Sequence, residues 1–416
     1  MKILIINKSF SKGGAAKAAN RITEAIAEYD NSNDIKFISD KDLPLYSFHK
    51  PINKTLFSKL THFFRILIDY IPRKLLTNLY YGRYSFWFIG KNLKKVIEQE
   101  KPDIVHFHWI NEGFISPELF EYLSKKNIPY VVTMHDSWYF TGGCHYPFEC
   151  ENYKIKCYYC PQVKWDGIFI FALKQMKIKN DIFNNLSTKK VFVAPSVWLK
   201  NLALSSKVLK FNNVINIPNP IKIDDYTNIS KIEARKSLGL DNSKKYFIYI
   251  AAAKDKNKGF DLFVEAAKKI KDEKIAFLIV GPTIELDSSV HYKNFGYIKD
   301  EKYLQTIFAA ADFTVVPSRQ ENLSNVIMES LACGTPVIAF NIGGNGDMIV
   351  DNYNGLLIND LSADSLAKAI ENAAKFEQYE VISSNAKTTV KEKFDYPIVA
   401  KQYLDVYKNL MEKKDG

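Results

Sequence analysis

Two glutamates eight residues apart, Glu321 and Glu329, stand in the segment PSRQENLSNVIMESLACGTPV. Residues 324–331 read as a helix with Ser324 at its N-cap, which puts Glu321 in the loop before it and Glu329 on its second turn. The amides of Leu323, Ser324 and Asn325 then lie at the positive end of the helix, a seat for an anion. A carboxylate beside that seat suits a sugar diol, since it accepts two charge-assisted hydrogen bonds. Lys258, followed by Gly259, opens another helical stretch. A cation there opposes the helix dipole, so an anionic ligand explains it better than solvation does. Gly13 and Gly14 directly follow the first apolar run and carry no Cβ, so that loop can approach a ligand closely; a plain tight turn would read the same. His108 in HFHW and His135 in MHDSW each close a strand-like segment. His135 is an active-site candidate, whereas His108 reads as a satisfied strand-end residue.

Cys144, Cys150, Cys157 and Cys160 fall within one loop as C-x5-C-x6-C-x2-C. Structural zinc, two disulfides and four free thiols all fit this spacing. Zinc ranks first, because it wants four soft ligands and orders a loop, and cytosolic disulfides are uncommon. Cys333 reads as a small buried helix residue.

The elements that would position these groups alternate strand and helix. Residues 2–7, 103–109, 130–134 and 191–194 are short apolar strands, and 15–29 is a helix. The style repeats with strands at 246–251, 276–280, 313–316 and 337–340, and with helices at 259–270, 303–311 and 325–333. Two runs of βα units imply an α/β protein with two doubly wound parallel sheets. The break lies in IPNPIKIDDYTN. The expected domains are 1–217, completed by a C-terminal helix at about 397–416, and 218–396. An amphipathic insertion at about 50–95 interrupts the first. It spaces Phe57, Leu60, Phe63, Phe64, Leu67 and Ile71 helically among Lys54, Lys59, Arg65, Arg73 and Lys74. Such a stripe suits either a membrane interface, with cations such as Arg73 and Lys74 facing anionic headgroups, or packing on the first domain's sheet, and Tyr80, Tyr81, Phe86 and Trp87 beyond it suit either. A Cys-rich loop at 141–163 follows.

A length of 416 residues and a formal charge of +11 favour a two-domain protein with an anionic partner. No nucleic-acid motif accompanies the charge, which ranks nucleic acid low among partners. The glycines after the first strand do not form the G-x-G-x-x-G of a nicotinamide dehydrogenase. The opening MKILIINKSF is too short for a signal, and no stretch reaches the roughly 20 apolar residues of a membrane span. A cytoplasmic protein is expected, one that touches a membrane from the inner face.

The glutamate pair, Cys333-Gly334-Thr335-Pro336 leading into a strand, and Gly343-Gly344 together resemble the E-x7-E signature of family 4 retaining glycosyltransferases. Gly13-Gly14, PDIVHFHW, His135, PSVWL, IPNPI, Lys258-Gly259 and IVG agree in order, so the resemblance spans almost the whole chain. It implies a GT-B fold, two Rossmann-like domains facing across a cleft. It also implies transfer of a sugar, with retention, from a UDP- or GDP-sugar to a glycan or lipid-linked acceptor, in bacterial capsule, O-antigen or exopolysaccharide synthesis. By the same resemblance Glu329 takes the ribose diol, Glu321 the transferred sugar and Lys258 the diphosphate, while Gly13, Gly14, Lys254, Asn322, Leu323, Ser324 and Asn325 complete the donor set. His135 reaches the donor sugar and acceptor side. No cofactor is expected for catalysis. The family's phosphate-binding arginine is replaced by Ala253, with Lys254 or Lys256 as stand-ins. A nucleotide-sugar epimerase shares this fold but has no need of the glutamate pair.

Overall fold

The computed structural model describes residues 1–10, 13–40, 49–51, 64, 67–68, 70–78, 83–87, 89–226, 229–251 and 253–412. The chain forms two compact units, Met1–Pro220 with Tyr396–Gly416, and Ile221–Asp395. The first holds a seven-stranded sheet of β1 (Lys2–Ile6), β2 (Asp34–Ser39), β3 (His49–Pro51), β4 (Ile104–Phe107), β5 (Tyr130–Thr133), β6 (Lys190–Ala194) and β7 (Val214–Asn216), in the order β3-β2-β1-β4-β5-β6-β7. The second holds β8 (Lys245–Ile250), β9 (Ile275–Val280), β10 (His291–Gly296), β11 (Phe313–Val316), β12 (Val337–Phe340) and β13 (Gly355–Ile358), in the order β10-β9-β8-β11-β12-β13. Every pairing in both sheets is parallel. Each unit is therefore a doubly wound α/β layer, and the direction of winding reverses between β1 and β4 and again between β8 and β11.

Alternation along β1 explains why both faces are covered. Ile3 and Ile5 join one apolar cluster with Ala19, Ile22 and Ile26 of the helix Gly14–Tyr29, while Leu4 and Ile6 join another with Val105, Phe107 and Phe120. The second sheet divides likewise. Phe247 and Tyr249 pack on Phe263 and Ala266, and Tyr246 and Ile248 pack toward Ile307 and Phe308.

The strands read from sequence lie where expected, with trimmed ends. Those not foreseen are β2, β3, β7, β10 and β13; β3, β7, β10 and β13 are the four sheet edges, and β2 is the neighbour of one. An edge strand is half solvated and short, so it lacks the continuous apolar run of a central parallel strand. β10 is HYKNFG, whose first three residues are exposed. Phe86 and Trp87, read as either core or interfacial, are core residues, 1% and 2% exposed. Lys54, Phe57, Lys59, Leu60, Phe63, Arg65, Tyr80 and Tyr81 lie outside the described residues.

The last helix, Tyr396–Glu412, buries Val399, Tyr403, Leu404 and Tyr407 on the β1 face beside the first helix. A polar network pins it there. His106 of β4 bonds the Tyr407 hydroxyl through Nδ1 at 2.7 Å and the Thr133 hydroxyl through Nε2 at 2.8 Å, and Thr133 Oγ1 meets Tyr403 Oη at 2.9 Å. Burial holds the His106 imidazole down to about 3, so it is neutral in the folded protein. The unfolded chain protonates this group near its ordinary value of about 6.5. Its contribution to stability is therefore complete above that value and is lost as pH falls from there toward the folded value. Comparing melting temperatures at pH 7.5 and 5, we expect His106→Gln to show a smaller drop than wild type. Tyr407→Phe, which strips one buried partner from the ring, should cost about 1–3 kcal/mol at either pH.

Candidate active site

In the second unit the two strands flanking the winding reversal deliver the key groups. β8 runs into a loop bearing Lys254, Lys256 and Lys258, and β11 runs through Ser318, Arg319 and Glu321 into the helix Asn325–Ala332. Because β8 and β11 are neighbours, the loops converge, and Lys258 Nζ lies 2.5 Å from Glu321 Oε2. Glu321 is buried, while the Lys258 side chain is 47% exposed. Two glycines permit this closeness. Gly259 has φ 69°, and a Cβ there would lie 1.8 Å from the Pro317 carbonyl oxygen. Gly343 has φ 55°, and its Cβ would lie 1.9 Å from the carbonyl oxygen of Glu321, which accepts from the Gly344 amide at 3.0 Å.

Arg319 was not among the residues singled out from sequence. Its guanidinium grips both oxygens of Asp261 at 2.6 and 2.8 Å and donates to the Lys256 carbonyl at 2.6 Å, tying the two loops together. The one sequence signal for it is its place two residues before Glu321. Lys254 is exposed, its ammonium 5.8 Å from the Phe260 ring, and is not brought onto Glu321.

Asn322, Leu323 and Ser324 are buried beside Glu321, and Glu329 is 7% exposed. Ser324 occupies the expected N-cap position, but its hydroxyl accepts no bond from the first-turn amides. The first-turn amides thus have no side-chain cap, as suits an anion seat. Asn325 Oδ1 and Gln320 Oε1 are buried without a partner at the same place.

Gly13, Gly14 and His135 belong to the first unit. Gly13 has φ 90°, and a Cβ there meets nothing within 4 Å, so the residue answers to its backbone angle rather than to crowding. His135 Nε2 meets His108 Nδ1 at 3.0 Å, and the rings stack. His108 is only half satisfied, since its Nε2 is buried without a partner. Burial holds His135 down to about 4 and lowers His108 as well. Next to them Asp136 Oδ2 bonds His145 Nδ1 at 2.6 Å, and His145 Nε2 meets Ser85 Oγ at 2.9 Å. Burial pushes the Asp136 carboxyl up, but the adjacent His145 imidazole outweighs this and leaves it below its ordinary value. The three groups have the order of a hydrolytic triad, yet Ser85 is fully buried. They act as a brace joining the insertion, the His135 loop and the Cys-rich loop.

The expected zinc site is not assembled. All five cysteines are free thiols. Cys144, Cys150, Cys157 and Cys160 line one small cavity with Tyr84 and Tyr153, but no group of three or more His, Cys, Asp or Glu side chains among the described residues is placed to hold an ion. Packing orders the loop instead. The Tyr84 hydroxyl donates to the Gly142 carbonyl at 2.6 Å, the Gly142 amide donates to Cys157 Sγ at 3.2 Å, and Asp166 accepts from the Cys160 amide at 2.9 Å. Burial pushes the Cys144 thiol up to about 11, the behaviour of an inert core thiol.

Two doubly wound units, one presenting an acid, a cation and an uncapped helix at its strand ends, define a glycosyltransferase. The model described as "Glycosyl transferases group 1" matches residues 230–389, and that described as "Glycosyltransferase Family 4" matches residues 55–224. The chain belongs to the family 4 glycosyltransferases. It is 28% identical to an uncharacterized glycosyltransferase of Methanocaldococcus jannaschii over 49% of this chain and 55% of the relative, about half the relative's length. It is 23% identical to an uncharacterized 41.2 kDa protein in the cps region of Klebsiella pneumoniae, over 67% of this chain and 71% of that protein. The solved structure of Anabaena HepE in complex with UDP has the same fold, with a TM-score of 0.66 at 16% identity over 98% of this chain and 100% of that one.

Gly343→Ala places a methyl against the backbone of Glu321 in a left-handed conformation. The variant should lose about 1 kcal/mol or more of stability and weaken UDP binding, both read in one ligand-shifted melting experiment. An unchanged melt and an unchanged UDP shift together would show that the Gly343–Glu321 contact does not organise this loop.

Proposed function

We propose that the chain is a retaining glycosyltransferase whose second unit seats a nucleotide-diphosphate sugar and whose first unit receives the acceptor. The observation that carries this is the Lys258–Glu321 pair, whose acid lies in sequence just ahead of a helix with no side-chain cap. The reaction releases a nucleoside diphosphate, so the site must stabilise charge growing on the leaving phosphate. Lys258 turns from Glu321 to that phosphate, the amides of Leu323, Ser324 and Asn325 add the helix terminus, and Glu321 is left to bond the transferred sugar. Glu329 accepts from the ribose diol. Front-face attack is the proposed route, with Glu321 engaged by Lys258 and the sugar rather than serving as a nucleophile, and with the departing phosphate taking the acceptor proton. Anabaena HepE, solved with UDP and with UDP-glucose, makes UDP-sugars the first donors to test, with GDP-sugars second.

The acceptor is proposed to be a lipid-linked glycan of bacterial surface polysaccharide synthesis, in keeping with the Klebsiella relative's place in a cps region. Phe64, Ile68, Ile71 and Leu75 recur at helical spacing and are 55%, 49%, 48% and 61% exposed. Their helix is joined to the Cys-rich loop by the bridge Thr77–Val163 and by the Lys164 amide on the Leu76 carbonyl. Beyond that junction Trp165, Ile168 and Phe169 are also exposed. An apolar face of this kind, with Lys74 and Lys164 beside it, suits the interface of an anionic bilayer. No helix among the described residues is long and apolar enough to cross one. Arg73, expected to face headgroups, is instead turned onto Glu112.

Glu329→Ala should weaken UDP-sugar binding and transfer ten- to a hundredfold, from about 1.5–3 kcal/mol per charge-assisted bond, with the melting temperature kept. Glu321→Ala should lower turnover more than UDP affinity; the reverse pattern would exchange the two roles. Sedimentation with anionic liposomes should fall in Ile71→Asp plus Leu75→Asp and in high salt. A protein that never sediments would remove the membrane from the proposal.

A further inference from the structure

The first unit has its own winding reversal, between β1 and β4, and the carboxyl ends of two such strands are where doubly wound sheets take ligands. Lys8 extends β1 and Trp109 extends β4, and their backbones are joined by the Lys8 amide on the Trp109 carbonyl at 2.8 Å. Three cations gather there on one carboxylate. Lys8 Nζ lies 3.4 Å from Glu112 Oε2 and donates to the Glu112 carbonyl at 2.7 Å. Arg73 Nη1 lies 2.5 Å from Glu112 Oε1, and Arg83 Nη2 bonds the same oxygen. The Arg83 guanidinium lies 4.6 Å from the centre of the Trp109 ring, and its side chain is 52% exposed.

Among the described residues this cluster joins three positive charges to the Glu112 carboxylate. Burial pushes the Glu112 carboxyl up, but the cations, Arg83 foremost, outweigh it and hold the group down to about 2. Glu112 is also one of the few non-glycine residues with positive φ, at 56°, and Gly113 follows at 68°. A side chain held in that backbone region costs of order 1 kcal/mol, and such strain gathers where a ligand is bound. Structural pinning of the insertion would need one arginine on one carboxylate. It does not account for the second, half-exposed guanidinium laid on the half-buried Trp109, whose ring type is one on which a sugar can stack. Trp109 in turn lies 6.0 Å, ring to ring, from His145, the brace of the His135 loop.

We infer that Lys8, Arg73, Arg83 and Trp109 form an acceptor subsite for an anionic oxygen group, with Glu112 holding the cations in place until that group arrives. The shared chemistry is an oxyanion beside a sugar ring, either a diphosphate linking the acceptor to its carrier or a carboxylate on the sugar itself. This deepens the glycosyltransferase reading and rests on it for the word acceptor.

Calorimetric titration of the full chain separates the possibilities. With UDP saturating, so that the second unit's anion seat is filled, inorganic pyrophosphate and glucuronate are titrated in turn, with glucose as the neutral control. We expect at least one of the two anions to bind, more weakly as salt rises, and glucose not to bind. Arg83→Gln should weaken that binding tenfold or more, whereas Lys258→Ala should leave it unchanged. Preference for pyrophosphate assigns the diphosphate, and preference for glucuronate the sugar carboxylate. Failure of both anions to bind, or equal affinity in Arg83→Gln and Lys8→Met variants with wild-type melting temperatures, overturns the subsite. The donor reading stands or falls separately, on whether UDP itself binds in the same cell. If it does not, pyrophosphate is titrated without it, and the Arg83 and Lys258 variants still tell the two seats apart.

Discussion

The arrangement depends on what a winding reversal does to a parallel sheet. Where β8 and β11 lie side by side, neither crossover covers the space above their carboxyl ends. The chain must fill that space with loops, and it does so by bringing Lys258 and Glu321 to 2.5 Å. A half-exposed ammonium on a buried carboxylate is a modest interaction in water but a specific one here. Gly259, Gly343 and the Arg319–Asp261 clasp are all arranged so that these two side chains meet. Gly281 belongs to the same design, since a Cβ there would lie 1.8 Å from the Ala251 carbonyl oxygen. Three strand ends in one unit are thus packed too tightly for any side chain beyond hydrogen.

The first unit uses the same topology for different ends. Its reversal joins Lys8 to Trp109, and burial keeps His106, His108 and His135 neutral. One unit therefore offers one cation paired to an acid beside an open helix, and the other offers three cations on one acid beside aromatic and imidazole rings. The asymmetry comes from loops alone, because the sheets beneath are alike.

Central strands were legible in the sequence because burial on both faces demands unbroken apolar runs, as in KILII and IAFLIV. Edge strands such as HYKNFG were not, because one side of an edge needs no apolar residue. The glutamate pair could be found from spacing, since a loop and a helix second turn leave little freedom for the residues between. Arg319, Glu112 and the Ser85–His145–Asp136 brace could not. Apart from Asp136 and His145, nine residues apart, their partners lie dozens of positions away. The cysteines misled for a related reason. Spacing says that four thiols are near one another, but not that their sulfurs converge on one point, and here they line a cavity wall instead.

The closing helix has a consequence for how the molecule is made. Val399, Tyr403 and Tyr407 cover a face of the first sheet built from Ile3, Ile5, Val131 and Val191. Between that sheet and its cover the ribosome must produce the whole second unit, Ile221–Asp395. At ~5–20 residues per second this takes roughly ten to thirty-five seconds. Through that interval an apolar sheet face stands open while the second unit, contiguous in sequence, has everything it needs to fold. This helix therefore acts as a clasp fastened only after the second unit has been made, and a nascent chain stalled before Tyr396 would present a finished second unit tethered to a sticky, half-covered first one.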